Sequence, residues 1–153
     1  MRILNLHGLY AQPGGTKATF LRKRGHEVIE PALPPNRFDE SVAIAQQAFD
    51  AHHPEVVVGS SRGGAVAMNL EVGDVPLVLI APAWNWQGRA DTVKKGTTIL
   101  HSKHDEVVPF EHTRQLARKS RLPKANVIVV GENHRMNDPA ALEALRAAVQ
   151  GVR

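Results

Sequence analysis

Several short, uninterrupted runs of apolar residues recur along this chain. Such a run predicts a strand that is buried on both faces, which is typical of a parallel sheet covered by helices. Most of the runs end at glycine, proline or a polar cluster, where a turn or loop is expected. The predicted strands lie at residues 2–6, 26–30, 56–58, 76–82, 97–101 and 126–130.

Helices are predicted between the strands, where apolar residues return every three or four positions. The clearest case is the segment 38–51, in which Phe38, Val42, Ala45 and Phe49 share one helical face. Further helices are predicted from Gly15 or Thr16 up to Gly25, and at residues 64–70, 110–120 and 139–149.

This alternation of strands and helices predicts the fold class. We expect a single α/β domain over residues 1–153, with about six mostly parallel strands and helices on both faces of the sheet. A length of 153 residues is normal for one domain. The segment 87–95 is too polar to predict a helix, so the connection between the fourth and fifth strands is expected to be a loop.

The turn after the third strand has the sequence Gly59-Ser60-Ser61-Arg62-Gly63, which fits the pattern Gly-x-Ser-x-Gly. In this pattern the serine occupies a sharp strand-to-helix turn, and the glycines let the strand and the helix approach closely. The helix directs free N–H groups toward the serine, which suits a nucleophile whose reaction develops an oxyanion. The alternative is an ordinary βα turn in which Ser61 caps the helix.

Chemically active side chains also follow other predicted strands. His7 ends the first strand, Ser61 the third, Asp105 the fifth and His134 the sixth. In an open α/β sheet, function lies at the carboxyl ends of the strands, so we expect these residues to meet. Serine, then aspartate, then histidine is the catalytic order of α/β hydrolases, and this order favours the catalytic interpretation of Ser61.

The whole chain resembles the α/β-hydrolase superfamily in a reduced form, and its opening segment is similar to small bacterial esterases of that superfamily. Four segments carry the resemblance: an oxyanion loop at 6–9, a nucleophile elbow at 59–63, an acid segment at 104–109 and a histidine segment at 131–134. The chain departs from the family in two ways. The first two strands are missing, and only about a dozen residues stand where larger members insert a cap domain.

The resemblance implies a catalytic triad. Ser61 would be the nucleophile, His134 the base that takes its proton, and Asp105 the acid that orients the imidazole. Glu106 is the alternative acid, because Asp105 could instead cap the helix that follows it.

The oxyanion hole is expected to use two backbone N–H groups, that of Arg62 and that of Leu9, with Tyr10 as the alternative to Leu9. Tyr10, Trp84 and Trp86 are candidate pocket-lining residues, although the two tryptophans could also plug the end of the sheet. The side chain of Arg62 has two interpretations: a local salt bridge to a surface carboxylate, or attraction of an anionic substrate group.

The remaining histidines are interpreted as structural. His7 is expected to shape the oxyanion loop, and the pair His52-His53 to lie at a solvated helix end. A metal site formed by His101, His104 and His134 is conceivable, but the spacing matches no zinc motif, so no metal and no cofactor are predicted. The chain has no cysteine, which excludes disulfides and thiol chemistry.

Charge and composition limit the classes of binding partner that the sequence predicts. The net charge is +4, aromatic residues make up only 5%, and none of them lies among the basic clusters 22–24 and 118–121. Both clusters fall at predicted helix C-termini, where cations are favourable, so nucleic-acid binding is not predicted. No apolar run could span a bilayer and the first residues lack a signal-peptide layout, so a cytoplasmic location is expected.

The expected function is hydrolysis of small carboxylic esters. The short connection after the fourth strand predicts an open site that prefers short acyl chains. Thioesters or peptides could be cleaved by the same triad, and a non-catalytic binding protein on a hydrolase fold is the alternative from another class. No pattern in the sequence indicates an oligomeric state.

Overall fold

Strands and helices alternate along the chain in the computed structural model, which describes residues 1–9 and 11–151. Within this part, the strands are β1 (Arg2–Leu6), β2 (Glu27–Ile29), β3 (Val56–Ser60), β4 (Leu77–Ile80), β5 (Thr98–His101) and β6 (Val127–Val129). The α-helices are α1 (Thr16–Lys23), α2 (Phe38–His52), α3 (Arg62–Met68), α4 (Phe110–Ser120) and α5 (Pro139–Gly151). A 3-10 turn, Lys124–Asn126, precedes β6.

The strands form one sheet in the order β2-β1-β3-β4-β5-β6, and every pair of neighbours is parallel. The strand order reverses between β1 and β3, which lie side by side with Leu6 opposite Gly59. At such a switch point the two following connections leave in opposite directions and open a crevice beyond the strand ends. The loop after β1 and the turn after β3 therefore meet at this crevice.

Helices cover both faces of the sheet. On one face, α1 and α5 pack against alternate strand residues such as Ile3 and Val58. On the other face, α2, α3 and α4 pack against the intervening residues, such as Leu4 and Leu79. All four of these side chains are fully buried, and each contributes about 1.5–3 kcal/mol to folding by leaving water. The predicted parallel sheet with helices on both faces is confirmed.

The helix after β3 begins earlier than predicted, at Arg62 instead of residue 64. The reason is that the sharp turn is completed within one residue, Ser61, so helical backbone can begin at the next. At the end of α1, Gly25 has a φ of +88°, which confirms the predicted glycine stop. The connection between β4 and β5 contains turns but no helix, also as predicted.

Among the described residues, no helix combines the length and the apolar character needed to cross a bilayer. The basic clusters lie where the sequence predicts. Arg22 and Lys23 occupy the last turn of α1, and Arg118 and Lys119 the last turn of α4. His52 and His53 are exposed at the end of α2.

Candidate active site

Ser61 lies in a sharp turn between β3 and α3, with φ 54° and ψ −116°. A positive φ is strained for a residue with a side chain, and costs about 1–3 kcal/mol where surrounding contacts enforce it. The flanking glycines allow those contacts. A Cβ on Gly59 would lie 2.5 Å from the carbonyl oxygen of Gly63, and a Cβ on Gly63 would collide with that of Leu6. The predicted close approach of strand and helix is confirmed.

Backbone hydrogen bonds tie this turn to the end of β4. The N–H of Ser61 donates to the carbonyl of Ile80 at 2.8 Å, and its carbonyl accepts from the N–H of Ala83 at 3.0 Å. Ser61 occupies the position before α3, but its side chain makes no capping hydrogen bond. The interpretation of Ser61 as a simple helix cap is therefore wrong.

The hydroxyl of Ser61 is instead paired with a histidine. Its Oγ lies 3.0 Å from Nε2 of His134, and Nδ1 of His134 lies 2.7 Å from Oδ2 of Asp105. A carboxylate can only accept, so the proton of a neutral His134 is on Nδ1, and Nε2 is free to accept from the serine. The structure thus brings Ser61, His134 and Asp105 into one continuous chain of hydrogen bonds.

Asp105 is held by four donors, although its side chain is fully buried. Its Oδ1 accepts from the backbone N–H groups of Val107 at 2.8 Å and Val108 at 2.7 Å, and its Oδ2 accepts from His134 and His101. Burial by itself raises the pKa of this carboxyl. The hydrogen bonds outweigh burial and hold the pKa of Asp105 well below its usual range, so the group is an anion.

The second histidine on this carboxylate, His101, was interpreted from the sequence as structural, and its contact with Asp105 was missed. It is fully buried at the end of β5. Its Nε2 lies 3.0 Å from both Oδ2 of Asp105 and the carbonyl of Val108, and two acceptors require a proton on that nitrogen. Its Nδ1 lies 2.6 Å from the hydroxyl of Thr113 on α4, which donates to it. The only sequence signal was a histidine four residues before the acid, at a strand end.

The alternative acid and the alternative metal site do not form. Glu106 is exposed, and its carboxylate accepts from the backbone N–H of His134 at 3.3 Å and not from the ring. His104 is exposed in the loop after β5. Within residues 1–9 and 11–151, no group of three or more histidines and carboxylates is arranged so that it could hold a metal ion.

The loop after β1 is shaped by His7, which is buried. Its Nδ1 donates to the carbonyl of Gly8 at 2.8 Å, and its Nε2 accepts from the N–H of Leu33 at 3.0 Å. These contacts fix the ring on both sides. A Cβ on Gly8 would lie 3.5 Å from Cβ of Ser61, so the loop passes directly beside the serine.

The position of this loop beside Ser61 is relevant to the two predicted oxyanion donors, Leu9 and Arg62. Leu9 follows Gly8 in that loop, and its side chain lines the cavity in front of Ser61. The N–H of Arg62 belongs to the first turn of α3, where a backbone N–H has no acceptor within its own helix. Tyr10, the alternative donor and a predicted pocket residue, lies outside the described residues.

The side chain of Arg62 is buried, with 4% of its surface exposed. Its Nε donates to Oε1 of Gln87 at 3.2 Å, and its Nη2 donates to the carbonyl of Pro34 at 2.9 Å and to Oγ of Ser41 at 3.0 Å. All three acceptors are neutral. Among the described residues no carboxylate forms an ion pair with it, so the first of its two interpretations, a local salt bridge, is wrong.

A cavity of about 750 Å³ opens in front of Ser61 and His134. Trp86 lines it and is 54% exposed, as expected for a pocket residue. Trp84 does not line the cavity, so its prediction as a pocket residue is wrong. Its ring is only 7% exposed, because its Nε1 donates to the carbonyl of His112 at 3.0 Å and the ring packs into the core.

Known structures resemble this chain over nearly its whole length. A candidate hydrolase from Agrobacterium vitis S4 is 20% identical, with a TM-score of 0.75 over 99% of this chain and 87% of that chain. Alpha/beta hydrolase domain-containing protein 10 from mouse is 16% identical, with a TM-score of 0.75 over 99% and 88%. An alpha-beta serine hydrolase homologue from Coxiella burnetii is 16% identical, with a TM-score of 0.73 over 100% and 85%. No protein-family model and no curated protein matches the sequence.

Proposed function

We propose that this chain, which has the α/β-hydrolase fold, is a serine hydrolase that cleaves carboxylic esters. The observation that supports this most directly is the hydrogen-bonded series Ser61–His134–Asp105 at the wall of an open cavity. Likeness to known structures at such low identity concerns the fold alone, so the activity rests on the geometry of these side chains.

The proposed reaction has two halves. As Oγ of Ser61 attacks the ester carbonyl carbon, Nε2 of His134 takes its proton. The tetrahedral intermediate collapses, the bond to the alcohol oxygen breaks, and His134 returns the proton to that oxygen. A water molecule then attacks the acyl-enzyme with the same base, which releases the acid and regenerates Ser61. The anionic Asp105 stabilises the imidazolium in both halves.

The negative charge on the carbonyl oxygen needs donors that are already in place. The N–H groups of Arg62 and Leu9 are the proposed pair, one at the start of α3 and one in the loop beside Ser61. Losing one such donor typically raises the barrier by about 2.7–4 kcal/mol.

The surroundings of the cavity support a preference for short acyl chains. The connection between β4 and β5 carries no helix that could cover the site. Exposed apolar side chains line the cavity instead, and among the described residues these are Leu9, Trp86 and Val107. They offer an apolar surface and not an enclosed tunnel, so a long chain would remain in water.

The proposal is tested with 4-nitrophenyl esters of increasing chain length and with a fluorophosphonate probe that reacts with activated serines. Ser61→Ala should lose both ester hydrolysis and labelling. The neighbouring serine provides the matched control, because Ser60→Ala should still be labelled at Ser61. Hydrolysis by Ser61→Ala equal to that of the wild type would exclude the mechanism. A folded wild type that the probe does not label would favour a non-catalytic binding protein, and a rate maximum at long chains would contradict the open site.

A further inference from the structure

The charged side chains around the cavity are strongly unbalanced in sign. In the part of the chain that the structure describes, the cations that line it are Lys17 from α1, Arg62 from α3 and Arg135 from the loop after β6. Within residues 1–9 and 11–151, the one carboxylate that lines the cavity is that of Glu30, which is already paired with Arg22, whose Nη1 lies 2.9 Å from its Oε1. A wall of one sign attracts ligands of the opposite sign, and the effect is strongest where water is partly excluded.

We propose that the cavity selects esters that carry a negative charge, such as a carboxylate, on the acyl or the alcohol part. This inference rests on the proposed ester hydrolysis and names its substrate class. The anion would bind between Lys17 and Arg62, while the apolar side chains at the cavity hold the uncharged remainder of the molecule.

Lys17 has an unused donor. Its Nζ lies 2.6 Å from the carbonyl of Arg135 and 2.9 Å from Oδ1 of Asn137, both of them neutral acceptors. An ammonium group has three N–H donors, so one remains without an acceptor among the described residues. Burial lowers the pKa of Lys17 to about 8, which means that the cation is poorly solvated where it stands. A bound anion would supply both the missing acceptor and the missing counter-charge.

Arg62 also has N–H groups without an acceptor in the described part of the chain. Its three hydrogen bonds use Nε and Nη2, so the two N–H groups on Nη1 have no acceptor within residues 1–9 and 11–151. Burial lowers the pKa of this guanidinium as well. Charged side chains are almost never buried without a partner of opposite charge. Arg62 and its hydrogen-bond partner Gln87 both line the cavity that opens in front of Ser61.

A purely structural role for these cations makes a different prediction. Lys17 does connect α1 to the loop after β6, because its Nζ donates to the carbonyl of Arg135, next to His134. If that were its only role, esters of equal shape would react equally well whatever their charge. Charge selectivity therefore separates the two explanations.

The test uses pairs of esters that differ in charge, corrected for spontaneous hydrolysis. On the acyl side, 4-nitrophenyl hydrogen adipate is compared with 4-nitrophenyl heptanoate. On the alcohol side, 4-acetoxybenzoate is compared with its neutral isostere 4-acetoxybenzamide. We expect kcat/KM to favour the anion by about tenfold in at least one pair, mainly through KM, because hydrogen bonds to charged groups are strong. Equal or inverted preference in both pairs overturns the proposal.

Substitutions test which residues cause the preference for anionic esters. Lys17→Gln should lower the ratio of anionic to neutral kcat/KM by about tenfold, since one charged donor is lost. Lys23→Gln is the matched control, an exposed lysine on the same helix away from the cavity. A ratio that stays unchanged in Lys17→Gln overturns the proposal, whereas a decrease in Lys17→Gln that is absent in Lys23→Gln supports it.

A binding measurement separates this inference from the proposed catalysis. Ser61→Ala is titrated calorimetrically with 4-hydroxybenzoate and with 4-hydroxybenzamide, which need no turnover. Tighter binding of the anion, weakened in Ser61→Ala/Lys17→Gln, supports the anion site even if no ester is hydrolysed. Equal binding of the two probes, together with ester hydrolysis that shows no charge preference, refutes this inference and leaves the proposed function standing.

Discussion

His101 and His134 donate to the same oxygen atom. Nε2 of His101 lies 3.0 Å from Oδ2 of Asp105, and Nδ1 of His134 lies 2.7 Å from it. His134 faces the cavity, whereas His101 is fully buried between the sheet and Thr113 of α4. The buried histidine therefore holds Oδ2 of Asp105 in the position in which this oxygen also accepts from His134, the histidine that contacts Ser61.

This arrangement makes His101 a positioning residue with a measurable effect. His101→Leu removes a donor to an ionised group, which is worth about 1.5–3 kcal/mol, so kcat/KM on 4-nitrophenyl acetate should decrease by about tenfold or more. His101→Gln can return an N–H near the position of Nε2 and should recover part of the loss. If the role were only packing, leucine would be the better substitute, and activity at least as high in His101→Leu as in His101→Gln would contradict the prediction.

The ionised Asp105 should also make stability depend on pH. Its pKa in the folded state lies below the ordinary value of 3.8. The stabilisation is therefore fully present above the pKa of the unfolded state, and it is lost as the pH decreases through the lower folded value. Asp105→Asn cannot titrate there. Urea unfolding from pH 5 down to pH 2 should show the advantage of the wild type over Asp105→Asn shrinking steadily, and a constant difference would contradict the assignment.

The sequence predicted the parts of the site that depend on chain order and backbone. Gly59, Ser61 and Gly63 could be interpreted because a strand, a sharp turn and a helix leave a short local pattern. Asp105 and His134 followed from their places at strand ends, since all parallel strands end at one edge of the sheet.

Contacts between distant segments could not be predicted in the same way. The packing of Trp84 depends on where α4 lies against the sheet, and nothing near Trp84 in the chain encodes that position. The neutral acceptors around Arg62 come from the loops after β2 and β4 and from α2, which meet only in the folded protein. Burial of His101 likewise depends on Thr113 of α4. Such contacts are set by tertiary packing and not by local spacing.

The glycine after Arg62 should not tolerate a side chain. A Cβ on Gly63 would collide with the carbonyl oxygen of Leu6 and lie 2.6 Å from that of His7, and backbone atoms cannot move aside cheaply. Gly63→Ala should lose about 1–3 kcal/mol of unfolding free energy, as overpacked cores do. Gly151→Ala is the control, because a Cβ there meets no atom within 4 Å. Thermal or urea unfolding measures both, and equal stability of the two variants would contradict the crowding at the turn.

Lys17 should make the stability of the wild type depend on pH in a second range. The direction is opposite to that expected for a lysine in a favourable ion pair. Burial lowers the pKa of Lys17 from 10.5 to about 8, so between these values the unfolded chain binds a proton that the folded chain does not. Stability attributable to this group therefore increases as the pH rises from 8 to 10.5, because the unfavourable buried charge is removed.

Urea unfolding of the wild type and of Lys17→Met across this range should isolate the effect, since all other groups titrate in both proteins and cancel in the difference. The free energy of unfolding of the wild type should increase relative to that of Lys17→Met as the pH rises. Lys23→Met, which removes an exposed lysine from the same helix, should show no such trend against the wild type. If the free energies of unfolding of Lys17→Met, Lys23→Met and the wild type change with pH in parallel, Lys17 is solvated like a surface lysine. Its burial would then give no reason to expect a bound anion.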